Sequence, residues 1–129
     1  MVREGNDVTL VSYGAMMIPT NQAAETLQNE RSVSAEVVDL RTVSPIDFET
    51  VIGSVQKTGR LIIIHEAPRN VGVGAEVAAT VAERALDYLK APIKRVTGYD
   101  IPIPLAKLED NYIPSRERIA KTALELVSY

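Results

Sequence analysis

The chain has 129 residues, 46% of them apolar and 24% charged, with a formal charge of −3 and no cysteine. That length suits one domain with a real core and falls short of a two-domain enzyme. The composition excludes disulfide frameworks and cysteine-rich zinc sites, gives no basic patch for nucleic acid or an anionic membrane surface, and holds no apolar run of spanning length.

The opening residues, Met1 to Asp7, lack the apolar core of a signal peptide, so a soluble, intracellular chain is expected. Met1 to Arg3 reads as a fragment of an edge strand. Val8 to Ser12 is the first clear strand, entered from Gly5-Asn6-Asp7 and left through Tyr13-Gly14. Met16, Met17 and Ile18 follow as an apolar cluster suited either to the core or to a partner surface, since methionine adapts to irregular shapes. After Pro19, Ala23, Ala24 and Leu27 share one face of a helix expected over Thr20 to Glu30.

Ala35 to Asp39 is a second strand. Ser44-Pro45-Ile46-Asp47 signals a helix start, and Phe48, Val51, Ile52 and Val55 recur at helical spacing until Lys57-Thr58-Gly59 closes the element. Ile62, Ile63 and Ile64, consecutive and β-branched, read as a strand covered on both faces, as in the centre of a parallel sheet. The only His, His65, then stands beside Glu66, ahead of Pro68 and the turn Gly72-Val73-Gly74.

A helix is expected from Ala75 to Leu89, with Val77, Ala78, Val81, Ala82, Ala85, Leu86 and Leu89 on its buried side. Ile93 to Thr97 is a fourth strand. Tyr99 to Pro104 alternates proline with apolar residues as an extended segment, and a last helix begins at a Ser115 cap with Ile119, Ala120, Ala123, Leu124 and Val127 as its stripe. Strands alternating with helices specify a parallel α/β sheet with right-handed crossovers. With the first strand central, the second on one side and the third and fourth on the other, the switch point falls between Ser12-Tyr13-Gly14 and His65-Glu66. Ligands of such sheets bind there.

The chemistry those residues offer is limited. Gly72-Val73-Gly74 begins like a dinucleotide fingerprint, but Val77 stands where the third glycine belongs, and Glu76 would repel a phosphate at the helix start. His65 and Glu66 are candidate acid–base groups for a hydrolase or isomerase, yet neighbours in a strand point to opposite faces. With one His, a histidine metal cluster is not available. Ser12, Thr42 and Ser44 lack a nucleophile-elbow context, and Arg41, Arg69 and Asp100 suit ion pairs or a carboxylate anchor.

The ordered series Val8 to Met16, Val37 to Thr42, Pro45-Ile46-Asp47, Lys57 to Arg60, His65 to Arg69, Gly74-Ala75-Glu76, Ala91-Pro92, Arg95 to Gly98 and Tyr112-Ile113-Pro114 resembles the C-terminal domain of 2-oxo acid dehydrogenase β subunits. That family belongs to the transketolase C-terminal-domain superfamily. The resemblance implies a three-layer αβα fold, mostly parallel and five-stranded, with one antiparallel edge strand for which Met1 to Arg3 is the remnant. It implies one domain over residues 1–129, part of a longer β subunit.

It further implies an α2β2 parent oxidoreductase that uses thiamine diphosphate and magnesium to decarboxylate a 2-oxo acid and acylate a lipoyl group. Neither cofactor is expected on this domain alone, and no catalytic group is expected in it, His65 and Glu66 being the weak candidates. Its implied roles are β–β′ assembly, contact with the α subunit, and docking on the peripheral subunit-binding domain of the lipoyl transacylase. The Tyr129 carboxylate carries the docking role over, whereas Lys90 stands before Ala91-Pro92 where many relatives carry an acid. Gly98-Tyr99-Asp100 and the Ser128-Tyr129 end sit slightly nearer branched-chain than pyruvate members. The location implied is cytoplasmic for a prokaryotic source and mitochondrial for a eukaryotic one. A stand-alone nucleotide- or cofactor-binding module built on Gly72–Gly74 is the alternative.

Overall fold

Three consecutive β-branched isoleucines suit a strand flanked by strands and covered on both faces. Ile62, Ile63 and Ile64 meet that condition in a computed structural model that describes residues 2–40, 46–68, 73–98 and 115–129. Their strand, β3 (Leu61–Pro68), lies between β1 (Val8–Ser12) and β4 (Lys94–Gly98), and β2 (Ala35–Asp39) completes the order β2-β1-β3-β4. All three pairings are parallel. The central position of β1 is as the sequence predicts.

Alternation along the strands divides the core in two. Val8, Leu10, Val37, Ile62 and Ile64 pack with α1 (Met17–Arg31) and α4 (Arg116–Val127). Val11, Val38, Leu61 and Ile63 pack with α2 (Phe48–Thr58) and α3 (Val73–Ala85) on the other face. This is a three-layer αβα arrangement, in which each buried branched side chain contributes about 1.5–3 kcal/mol.

Local signals set most boundaries. The Asp47 side chain accepts the Thr50 N–H at 3.2 Å to cap α2, and Gly59 ends it in the left-handed region at φ 74°. Ser115 caps α4 through the Arg118 N–H at 3.2 Å. The stripe of α4 includes Leu126, which the sequence reading omits, beside Ile119 and Ala123; Ala120, Leu124 and Val127 are only partly buried.

Three expectations are corrected. First, α1 starts at Met17 rather than Thr20, because Pro19 in a first turn needs no N–H partner. The apolar cluster before it divides, with Met16 in the core and Ile18 exposed. Second, α3 stops at Ala85, whose φ of −138° leaves the helix for a 3-10 turn over Leu86–Tyr88. Leu86 therefore swings outward and is 62% exposed. Third, β4 runs one residue later than expected, over Lys94–Gly98.

Of the five strands expected, the described residues form four. The N-terminal segment meets β2 at an isolated antiparallel bridge, Arg3 with Val37. Arg41, Thr42, Ser44, Pro45, Arg69, Gly72, the extended Tyr99–Pro104 segment and Tyr112 to Pro114 lie outside the described residues.

Candidate functional site

At the carboxyl ends of β1 and β3 the sequence-predicted switch point is assembled as expected. Ser12, Tyr13 and His65 adjoin there, and the N-terminus of α3 arrives over the same spot. The Gly74 N–H donates to His65 Nε2 at 3.2 Å, in the buried interior. That N–H is one of the four at a helix start that lack an intrahelical partner, so the imidazole acts as the cap of α3. An Nε2 that accepts carries no proton, which places the proton of a neutral ring on Nδ1.

Gly74 is required by this closeness. A Cβ built on it would lie 2.5 Å from His65 Nε2 and 2.8 Å from Cδ2, far inside van der Waals distance. The glycine thus makes room for the histidine and not for a phosphate. The Tyr13 ring stacks on the imidazole with centroids 6.4 Å apart and planes 25° apart, at the outer range of such pairs. The Ser12 hydroxyl donates to the Ile64 carbonyl at 2.8 Å rather than to His65. No nucleophile–base pair forms from these groups. Glu66 follows His65 in β3.

A second polar cluster, not anticipated from the sequence, occupies the opposite, amino end of the sheet. Glu36 of β2 is fully buried and pairs with the Lys57 ammonium of α2, whose side chain is 43% exposed. Glu36 Oε1 also accepts the Gly5 N–H at 3.1 Å. Burial opposes its charge, but Lys57, the Ser54 hydroxyl and the Gly5 N–H outweigh burial and hold the carboxyl below the ordinary carboxylate range.

Beside it, Thr9 Oγ1 is 2.7 Å from both Ser54 Oγ and Thr58 Oγ1, and Thr58 donates onward to the Arg60 carbonyl at 3.1 Å. Arg60 closes this end: its Nη1 donates to the Asp7 carbonyl at 3.0 Å and its Nε to the Leu126 carbonyl at 3.2 Å. A signal for the cluster exists in the sequence. Ser54 and Thr58, four apart on the buried side of α2, must face something polar, and Glu36 is the carboxylate across from them.

The two residues expected to dock a partner come together. Tyr129 and Lys90 line one shallow depression of about 420 Å³, with Leu86, Leu89, Pro92 and Ile93. Tyr129 is 79% exposed. The Lys90 backbone is fixed by its N–H to the Gly59 carbonyl at 2.7 Å. A larger groove of about 870 Å³ runs between α1 and α4, floored by Leu27, Ala120 and Leu124 and rimmed by charges of both signs.

Residues 1–119 match the family model described as transketolase, C-terminal domain. Among curated proteins, the β subunit of the pyruvate dehydrogenase E1 component of Staphylococcus epidermidis is 49% identical over 126 residues, covering 95% of this chain and 38% of that protein. The corresponding subunit of Leifsonia xyli subsp. xyli is 47% identical over 129 residues, covering 100% and 38% respectively. That of Staphylococcus aureus is 43% identical over 127 residues, covering 98% and 39%. Among solved structures, a split-gene transketolase in an inactive β4 tetramer superposes with a TM-score of 0.84 and 27% identity, over 98% of this chain and 40% of that one. The chain therefore spans less than two fifths of the curated relatives named here. Those relatives are pyruvate rather than branched-chain subunits, so the branched-chain preference drawn from Gly98-Tyr99-Asp100 finds no support.

Proposed function

Because the chain belongs to the transketolase C-terminal domain family, we propose that it is the assembly and docking domain of a 2-oxo acid dehydrogenase β subunit. Its parent enzyme decarboxylates a 2-oxo acid, with pyruvate favoured by the names of the relatives, and passes the acyl group to a lipoyl carrier. The parent is an α2β2 assembly, cytoplasmic in a bacterium, and this domain is part of its longer β subunit. Thiamine diphosphate and magnesium serve that parent.

Among the described residues no three His, Cys, Asp or Glu side chains converge. The N-terminal amide of α3 that a diphosphate would seek is already taken by His65. No chemical step is assigned to this domain; its work is binding.

The observation that carries the docking role is exposed Tyr129 at a depression lined by apolar Leu86, Pro92 and Ile93. Tyr129 next to apolar Leu86, Pro92 and Ile93 suits an apolar contact, and the docking carboxylate we assign to it suits a partner that presents basic residues around that contact, as the transacylase's subunit-binding domain does. Lys90 works against such a partner, so the Lys90→Glu chain is expected to bind it more tightly. For assembly, the exposed Ala79 on α3 is a small residue that a second β subunit can approach closely.

The test is a titration of the β subunit with the isolated subunit-binding domain. Removal of Tyr129 is expected to weaken binding at least tenfold, and Ala79→Trp to lower dimer affinity in sedimentation without changing that titration. Equal affinity with and without Tyr129 would remove the docking role. Saturable binding of thiamine diphosphate and magnesium by the chain alone would overturn the division of labour.

A further inference from the structure

We propose that the buried Glu36 carboxylate is a latch that holds the N-terminal segment, residues 2–7, on the outer edge of the sheet, and that removing its charge frees this segment while the core stays folded. The segment lies along β2 and the turn before it. The Val37 N–H donates to the Arg3 carbonyl and the Val2 N–H to the Val37 carbonyl, both at 2.9 Å. At its other end the Asp7 N–H donates to the Ser34 carbonyl at 2.8 Å, and the Ser34 N–H to Asp7 Oδ2 at 2.7 Å. Between these bonds Val2, Glu4 and Asn6 are exposed, and the Ser34–Asp7 bond is only part-buried.

The middle is different. Gly5 is buried and pressed so closely that a Cβ on it would lie 2.3 Å from the Ala35 carbonyl carbon and 2.5 Å from the Glu36 nitrogen. Its N–H is satisfied by Glu36 Oε1 alone in the interior. One carboxylate thus joins the segment, β2 and, through Lys57, α2. With the charge gone, the Lys57 pair is lost and the Gly5 N–H keeps only a weak neutral partner. A short edge segment with few buried apolar contacts opens locally before the core does.

The groups facing Glu36 are few. From α2 come the Lys57 ammonium and the neutral Ser54 and Thr58 hydroxyls, and from β1 the neutral Thr9, which is its register partner. The segment itself carries Arg3, Glu4 and Asp7, and the Asp7 carboxylate is turned to the Ser34 N–H. A carboxyl held below its ordinary value keeps its charge until the pH has dropped beneath the usual carboxylate range, so the latch holds above that range and opens as the pH falls through the lowered value.

Amide hydrogen exchange, corrected for intrinsic rates, reads this directly. Protection of residues 3–7 and of the Val37 amide is expected to fall at least tenfold across the transition, while Leu10 and Ile62 keep theirs. Glu36→Gln is expected to show the low protection at every pH. In Asp7→Asn the transition stays where it is, and in Lys57→Met it moves to higher pH. Should Glu36→Gln fail to fold, the carboxyl ¹³C titration of Glu36 in the unaltered chain must track the loss of protection. Protection that is flat with pH, or a transition abolished in Asp7→Asn, would overturn the latch.

Discussion

The two ends of the sheet treat polar groups in opposite ways. At the carboxyl end, where a parallel α/β fold ordinarily receives its ligand, His65 and Ser12 are each bonded to main-chain groups of the fold itself. The amino end, ordinarily inert, holds a buried carboxylate, a string of hydroxyls and an arginine bound to two carbonyls. A polar cluster is therefore no guide to a reaction centre in this domain. Both ends join elements, and Lys90 and Tyr129 line a separate depression.

Substitutions can break this contrast. Gly74→Val places a branched side chain where His65 already stands, with the nearest imidazole atom 2.5 Å from the new Cβ. We expect a loss of about 3 kcal/mol in chemical denaturation, with His65→Ala in the same chain recovering a good part of it. A loss below about 0.5 kcal/mol, within the range of ordinary surface substitutions, would mean that the carboxyl end has spare room and is better described as a cavity.

Next in size, Thr9→Val keeps the shape of β1 but strips the hydroxyl shared by Ser54 and Thr58 at 2.7 Å. About 1.5 kcal/mol should be lost from the amino end. An unchanged denaturation midpoint would show that the hydroxyl string repacks freely. The smallest effect belongs to Ser115→Ala, which uncaps α4 and should cost about 1 kcal/mol. If the helix content and midpoint hold steady, Arg118, bonded to the Thr97 carbonyl at 3.3 Å, is the stronger tether of that helix.

The fold was legible because its signals are local or periodic. The isoleucine triplet, the Asp47 and Ser115 caps and the glycine at position 59 each act within one turn or one strand, and the alternation of strands with helices specifies parallel pairing. The exceptions have physical causes. Leu86 fits the helical period, but the backbone leaves the helix one residue earlier at Ala85, and no residue type marks that break. Pro19 looks like a boundary in sequence and is in fact an early helical residue.

The sites were less legible. His65 and Gly74 both stand out in the sequence, yet their relation is a steric fit across nine positions, visible only once α3 is laid on β3. Glu36 is the charged residue inside the strand Ala35 to Asp39. Only coverage of both faces of the sheet makes it a buried acid that needs Lys57.

Arg60 has a further consequence. One guanidinium grips the Asp7 carbonyl at 3.0 Å and the Leu126 carbonyl at 3.2 Å, so the first strand's entry and the last helix's exit are a side chain apart. The path of the backbone through the fold is nearly a closed ring. A circular permutant, with those ends bridged by a short flexible link and the chain reopened at the exposed turn around Ser32, would retain every strand pairing and every helix of the described core.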